Sequence, residues 1–210
     1  MKQSGFLVAC EGIEGSGKSL LVQNIISAML TKNIPCLSTK EPGGTPLGKE
    51  LRKLLNYQNT KVASLTEYLL FAADRAQHFE EVVCPAISQG KLVISDRLAD
   101  SSLAYQGYGR GIDRLLIDQT NQWAMQSIKP DLIFYLKIDP KIAYQRVIAR
   151  NEKLTSFESE KLEFWYKVAH GFETIFANRK DVITLDATLS PYELTTIAID
   201  TITALWKNNK

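Results

Sequence analysis

Along this chain, short apolar runs rich in β-branched residues alternate with longer stretches of helical periodicity. Phe6 to Cys10 is one uninterrupted apolar run, the pattern of a strand covered on both faces. Over Lys18–Lys32, Leu21, Ile25 and Met29, flanked by Leu20, Val22 and Ile26, recur at helical spacing. Pro35–Ser38 is a candidate short strand. Thr45-Pro46 opens a second helix, since Thr caps well and Pro suits the first helical position. Ser64-Leu65-Thr66-Glu67 has capping-box spacing and predicts a long helix toward Gln89, kinked or ended at Pro85 and stopped at Gly90. Strands are predicted at Leu92–Ser95, Leu132–Leu136 and Val182–Leu185, and helices over Asp113–Ser127, from Asp139-Pro140 to about Arg150, and over Glu160–Arg179. Ser190-Pro191-Tyr192-Glu193 is a second capping box before the last helix.

Unalternated strands separated by helices predict an α/β fold, a parallel sheet with helices on both faces. The least regular stretches are Lys40–Gly48, Asp96–Gly111 and Asn151–Ser159. They follow strands or join helices, where such folds place their sites.

A length of 210 residues fits one domain. With 45% hydrophobic and 23% charged residues, the chain is neither disordered nor fibrous. Lys+Arg 25 against Asp+Glu 23 leaves a charge of +2, which argues against gripping a nucleic-acid polymer through a broad basic face. Cys10, Cys36 and Cys84 form no CxxC pair and no metal spacing, which fits a reducing compartment. No apolar run approaches the roughly 20 residues of a membrane span, so no membrane partner and a cytoplasmic location are expected.

Chemistry enters at Gly12-Ile13-Glu14-Gly15-Ser16-Gly17-Lys18-Ser19, which matches GxxxxGK[ST] without a gap. The glycines let backbone N–H groups close on phosphate oxygens, and the following helix points its positive end at the same anion. Lys18 can reach the β- and γ-phosphates, and the Ser19 hydroxyl can ligate Mg²⁺. An accidental match is the competing reading, but this one sits between a predicted strand and a predicted helix. The apolar strand at Leu92 ends in Asp96-Arg97, an acid able to hold Mg²⁺ and an arginine able to grip phosphate, or else a surface ion pair. No NKxD-like motif suggests a GTPase, and no strand ends in the paired acids of a motor ATPase.

Other features suit a second substrate. Glu41-Pro42-Gly43-Gly44-Thr45 is a rigid turn, or a plain loop. Phe71 and Arg75 share a helix face, where an aromatic can stack on a base beside a phosphate-binding arginine. Equally, Phe71 reads as core and Arg75 as paired with Asp74 or Glu67. The run Asp100 to Gly111 is polar, aromatic and glycine-rich, like a nucleoside-contacting loop or a solvated turn.

The ordered set EGIEGSGKS, KEPGGTPLG, LLFAADRAQH, ISDRLADSSLAYQGYGRGID, PDLIFYLKIDP and TLDAT resembles thymidylate kinase, bacterial branch, along nearly the whole chain. The resemblance implies a three-layer P-loop NTPase fold with a five-stranded parallel sheet, a short lid at about 146–160 and a homodimer. It implies γ-phosphoryl transfer from ATP to dTMP with Mg²⁺. The P-loop from Gly12 to Ser19 would hold ATP, with Ser19 and Asp96 organising Mg²⁺. Arg97 would bridge donor and acceptor phosphates, and Glu14 would sit near the acceptor. Glu41 and Pro42 belong to the acceptor-side turn. Phe71 would stack on thymine, Arg75 would contact the base or its phosphate, and Ser102 and Gln106 would line the base pocket. Tyr105 would crowd the sugar's 2′ position. Arg146 would lie against adenine, with Ala187 at the far edge of its pocket; as a plain alternative, Arg146 and Arg150 are helix C-terminal charges.

Three departures stand out. Lys40 replaces the usual Arg before EPGG, and Leu98 follows Asp96-Arg97 where Tyr or His is usual. By alignment Ser156 takes the place of the usual lid arginine, which passes the role to Arg150 or Lys153. Two other functions compete: a deoxynucleoside kinase using Glu14 as base on a 5′-hydroxyl, and a nucleotide-binding module without turnover.

Overall fold

A computed structural model describes residues 5–56 and 62–208. Strands β1 (Phe6–Glu11), β2 (Cys36–Lys40), β3 (Leu92–Asp96), β4 (Leu132–Lys137) and β5 (Val182–Asp186) form one parallel sheet in the order β2-β3-β1-β4-β5. The central β1 is buried at every position, as its unbroken apolar run requires. Leu7, Val93, Ile94, Ile133 and Phe134 fill the core on either side of the sheet. Among the described residues no helix is long and apolar enough to cross a membrane.

The connection leaving β1 turns to one side, toward β2, and the one leaving β3 turns to the other, toward β4. This divergence opens a crevice between β1 and β3, where open α/β sheets bind ligands. Cys10 pairs in register with Asp96, and Lys40 pairs with Asp96 from the other side. Three strand ends therefore deliver their loops at one level.

Local signals explain most helix starts. Helix α1 (Lys18–Thr31) begins on the left-handed Gly17 and packs beside α9 (Pro191–Asn208), with Asn24 Nδ2 donating to Thr195 Oγ1 at 3.1 Å. Helix α2 (Pro46–Leu55) is capped by Thr45, whose Oγ1 accepts from Gly48 N at 2.9 Å. Asp113 caps α6 (Arg114–Ala124), and Asp139 caps α7 (Pro140–Ile148). Glu193 and Ser190 form the reciprocal box expected before α9. Helix α8 (Leu162–Phe176) covers the sheet beyond α7.

Three expectations change. Ser64 does not cap α3 (Ser64–His78): the cap position is Ala63, and Ser64 is already helical. Glu67 instead accepts from Gln106 Nε2 at 2.9 Å and pairs with Arg110 Nη2 at 3.2 Å, a buried amide and a partly buried cation that together outcompete a local backbone N–H. The long helix is not ended by Pro85. It widens into a π-helical turn at Phe79–Val83 and continues as α4 (Cys84–Ser88), which accommodates a residue with no N–H. The stretch read as irregular, Asp96–Gly111, is largely helical: α5 (Ala99–Ser102) runs into a second π-helical turn, Leu103–Gly109. Gly111 does end the stretch in a left-handed turn (φ 80°), but Gly109 serves packing. A Cβ at Gly109 would lie 2.6 Å from the Phe164 ring on α8, closer than side chains tolerate.

Candidate active site

The loops after β1, β2 and β3, with α2, α3 and the segment after α7, enclose a cleft of about 490 Å³. On one side stands the P-loop. Gly15 is left-handed (φ 73°), and a Cβ there would meet Ala143 O at 2.5 Å, so only glycine lets the loop rest on α7. Lys18 Nζ donates to Ile13 O at 2.8 Å and contacts Ser16 Oγ at 3.4 Å. Burial, with Arg97 nearby, pushes the Lys18 amine down to about 8, against the opposing pull of Asp96, Glu14 and Glu11. A buried cation so depressed gains from an incoming polyanion.

Ser19 Oγ lies 2.5 Å from Asp96 Oδ2. Both are hard oxygen ligands at the mouth of the cleft, and no group of three or more acidic, His or Cys side chains forms a cage among the described residues. That donor set fits Mg²⁺, which takes few protein ligands and completes its shell with phosphate and water. Arg146 Nη1 reaches Ala187 O at 3.0 Å and Gly15 O at 3.5 Å, tying α7 to the P-loop and to the loop after β5.

At the crevice itself, Arg97 is left-handed (φ 73°) and held there by its contacts. Its amide donates to Cys10 O at 3.0 Å, Nη1 to Gly12 O at 2.9 Å and Ser101 Oγ at 3.0 Å, and Nη2 to Glu14 Oε1 at 2.9 Å. The phenol of Tyr105 donates to Glu14 Oε2 and accepts from Arg97 Nη2 at 3.2 Å. Burial keeps that phenol protonated. Both oxygens of Glu14 are thus engaged.

The opposite side of the cleft is made of side chains. Arg75, 1% exposed, lies at the base of the cleft. Its Nε donates to Glu41 Oε2 at 2.8 Å, and its amino groups reach Ser102 Oγ, Asn121 Oδ1 and Leu98 O. Its carboxylate partner is therefore Glu41, not Asp74 or Glu67. The other oxygen of Glu41 meets His78 Nδ1 at 2.9 Å. Asp74 Oδ1 accepts from Gly43 N at 3.0 Å, which fixes the turn after the cis Glu41–Pro42 peptide. Burial, then Glu41, raises the Asp74 carboxyl to about 6, and its Oδ2 has no hydrogen-bond partner among the described residues. A Cβ at Gly48 would strike Asp74 Oδ1 at 2.2 Å, which explains the glycine. Phe71, Pro42, Gln106 and Tyr105 line the same cavity.

Over the cleft lies the segment after α7. Arg150 lines the cavity and pairs with Glu158 at 3.3 Å; Lys153 does not line it. Ser156 Oγ donates to Leu55 O at 2.9 Å, which ties this segment to the end of α2.

The structure therefore gathers Glu14, Lys18, Ser19, Glu41, Pro42, Phe71, Arg75, Asp96, Arg97, Ser102, Tyr105, Gln106 and Arg150 around one cavity. Arg146 and Ala187 meet beside it. Sequence reasoning missed Glu11, Arg52, Asn121 and Phe157. Glu11, fully buried, accepts from Leu98 N at 2.8 Å and from Ser101 Oγ at 2.5 Å, and so holds the loop that carries Arg97. Burial, then Asp100, raises its carboxyl to about 7. An acid closing an apolar strand was a visible signal. Arg52 lines the cavity and donates to Pro42 O at 2.9 Å, a contact made only once the fold brings α2 against the turn after β2.

A family model for thymidylate kinase matches residues 10–199. The thymidylate kinase of Halothermothrix orenii is 38% identical over 192 residues, spanning 90% of this chain and 92% of that protein. The thymidylate kinase of Maridesulfovibrio salexigens is 40% identical over 195 residues, spanning 89% and 90%. The thymidylate kinase of Carboxydothermus hydrogenoformans is 44% identical over 168 residues, spanning 80% and 82%.

Proposed function

The chain belongs to the thymidylate kinase family, and from that premise we propose that its cleft transfers the γ-phosphoryl group of ATP to dTMP, giving ADP and dTDP. The observation that carries this reading is the convergence at one crevice of a P-loop lysine, the Asp96-Arg97 strand end and an aromatic, amide-lined pocket.

The P-loop from Gly12 to Ser19 holds the ATP phosphates, and Arg146 and Ala187 flank adenine. Phe71 stacks on thymine, with Ser102 and Gln106 beside the base and Tyr105 against the deoxyribose. Ser19 and Asp96 would hold Mg²⁺, which supplies charge neutralisation between the phosphates when bound.

The attacking group is a phosphate oxygen, mostly ionised near neutral pH, since the second pKa of a phosphomonoester is about 6. No strong base is needed. Catalysis rests on alignment and on neutralising charge with Lys18, Arg97 and Arg150. Glu14 is committed to Arg97 and Tyr105, so it orients rather than takes a proton. This removes the base that a 5′-hydroxyl kinase would require. Glu41 supports Arg75 and His78 from beneath.

Residues 1–210 act as one kinase unit with its lid near 146–160, in the cytoplasm. Neighbouring helices α2, α3 and α6 expose Leu54, Leu69, Leu115 and Trp123, the last at 80%, which supports a homodimer across this face.

The test is ADP release from ATP over a panel of nucleoside monophosphates and thymidine. Release with dTMP is expected. Phosphorylation of thymidine but not dTMP, or tight ATP binding with no acceptor turned over, would overturn the reading.

A further inference from the structure

Phe157 is an aromatic side chain set in a polar lid segment, with no role so far. Its ring lines the cleft, 5.9 Å from that of Phe71 at an interplanar angle of 33°. Tyr105 meets it edge-on at 5.1 Å. Behind it Phe164 stacks at 6.2 Å, and the guanidinium of Arg110 lies 5.6 Å from its centre. Its chain neighbours are tied down on both sides, Ser156 to Leu55 O and Glu158 to Arg150 and the Thr155 amide.

A planar base needs contact distance on each face, so two rings that sandwich one stand about 7 Å apart. At 5.9 Å the rings of Phe71 and Phe157 touch each other instead. The ring of Phe157 thus covers Phe71 with an apolar surface from the lid. Exchanging that ring contact for a base contact costs little buried apolar area, and the required lid movement is small.

We propose that Phe157 is the second aromatic wall of the acceptor-base site: its ring packs on Phe71 and closes over the base once the lid shifts to admit it. The inference rests on the reading of Phe71 as the residue that stacks on the base. It has a consequence for the donor side. Glu158, next in the chain, holds Arg150, so the place of Phe157 sets the place of the lid cation. A bound base then positions Arg150 from the acceptor side.

The test is steady-state kinetics of Phe157→Ala, Phe157→Leu and Phe157→Tyr with ATP and dTMP. Losing a stacked aromatic costs about 1–3 kcal/mol per base, roughly 5- to 150-fold. The KM for dTMP should rise within that range in Phe157→Ala, less in Phe157→Leu, and stay within about twofold of wild type in Phe157→Tyr. The KM for ATP should stay within about twofold throughout. An acceptor KM unchanged in Phe157→Ala makes the ring mere lid packing, and a lowered one makes it a competitor of the base; either overturns the proposal. If Phe157→Ala melts below the assay temperature, Phe157→Leu, which keeps the apolar volume, decides by the same criterion. The wild type is assayed first: no turnover of dTMP there defeats the functional reading. If another monophosphate is the acceptor, its KM is measured in the variants instead.

Discussion

The two halves of the cleft are built by different means. On the side proposed for the donor, glycine backbone and one helix start shape the loop, and few side chains support one another there. On the acceptor side, Arg75, Glu41, His78, Asp74, Ser102 and Asn121 form a buried polar network drawn from β2, α3, α5 and α6 and their connections. Backbone geometry suits a ligand part common to all nucleoside triphosphates. Recognition of one base among several needs groups that stay in place when empty, and buried partners hold them.

If that division is right, single changes should separate chemistry from stability. The largest effect is expected for Lys18→Ala, a loss in kcat on the order of 10³-fold or more with little loss of stability, because the change removes a buried cation that folding disfavours. Rapid-quench turnover with thermal melting checks both parts, and a large fall in melting temperature would blur the division. Next comes Glu41→Ala on the acceptor side. It strands Arg75 without its buried carboxylate, and urea titration should show a loss of roughly 3–5 kcal/mol. A stability within 1 kcal/mol of wild type would mean that the network is not structural.

Glu11 sharpens the comparison, since it is the buried carboxylate beneath the crevice that joins the halves. Its carboxyl is raised from 4.5 to about 7 in the folded state, so folding favours the protonated form. The associated stability is complete below about pH 4.5 and is lost as pH rises to about 7, a change on the order of 3 kcal/mol. Urea unfolding of Glu11→Gln should therefore fall less steeply than wild type between those limits. Asp74, raised in the same sense, is present in both proteins and cancels from the difference. Parallel curves would show that Glu11 does not titrate there. The smallest effect belongs to the lid. Arg150→Ala should lower kcat by about tenfold, and Lys153→Ala by under twofold, in steady-state assays at saturating ATP and dTMP. Equal losses at both positions would deny Arg150 its place.

What could be read from the sequence follows the same line. The sheet, the P-loop and the Asp96-Arg97 strand end depend on local pattern, and apolar runs and glycine spacing exposed them. The network around Arg75 depends on residues far apart in sequence, such as Glu41 and Asn121, whose pairing only the fold decides. Glu67 shows a local rule losing to tertiary partners: its capping spacing was real, but Gln106 and Arg110 offered stronger bonds. Gly109 misled for a physical reason, since close packing against α8 demands a glycine as surely as a turn does.

The π-helical turn at Leu103–Gly109 also bears on insertions and deletions. A π turn carries about one residue more than an α-helix of the same rise. Deleting any one residue there would let the segment relax to ordinary helix while both ends stayed anchored. With the ends held, side chains between the deletion and the next anchor would turn about the helix axis into new positions. A deletion at Leu103 or Ala104 would in this way turn Tyr105 and Gln106 together away from Glu14 and Glu67. A stretch that looks like a loop tolerant of length change is therefore one where length is fixed to the residue, and where a single-codon deletion should do more harm than many substitutions.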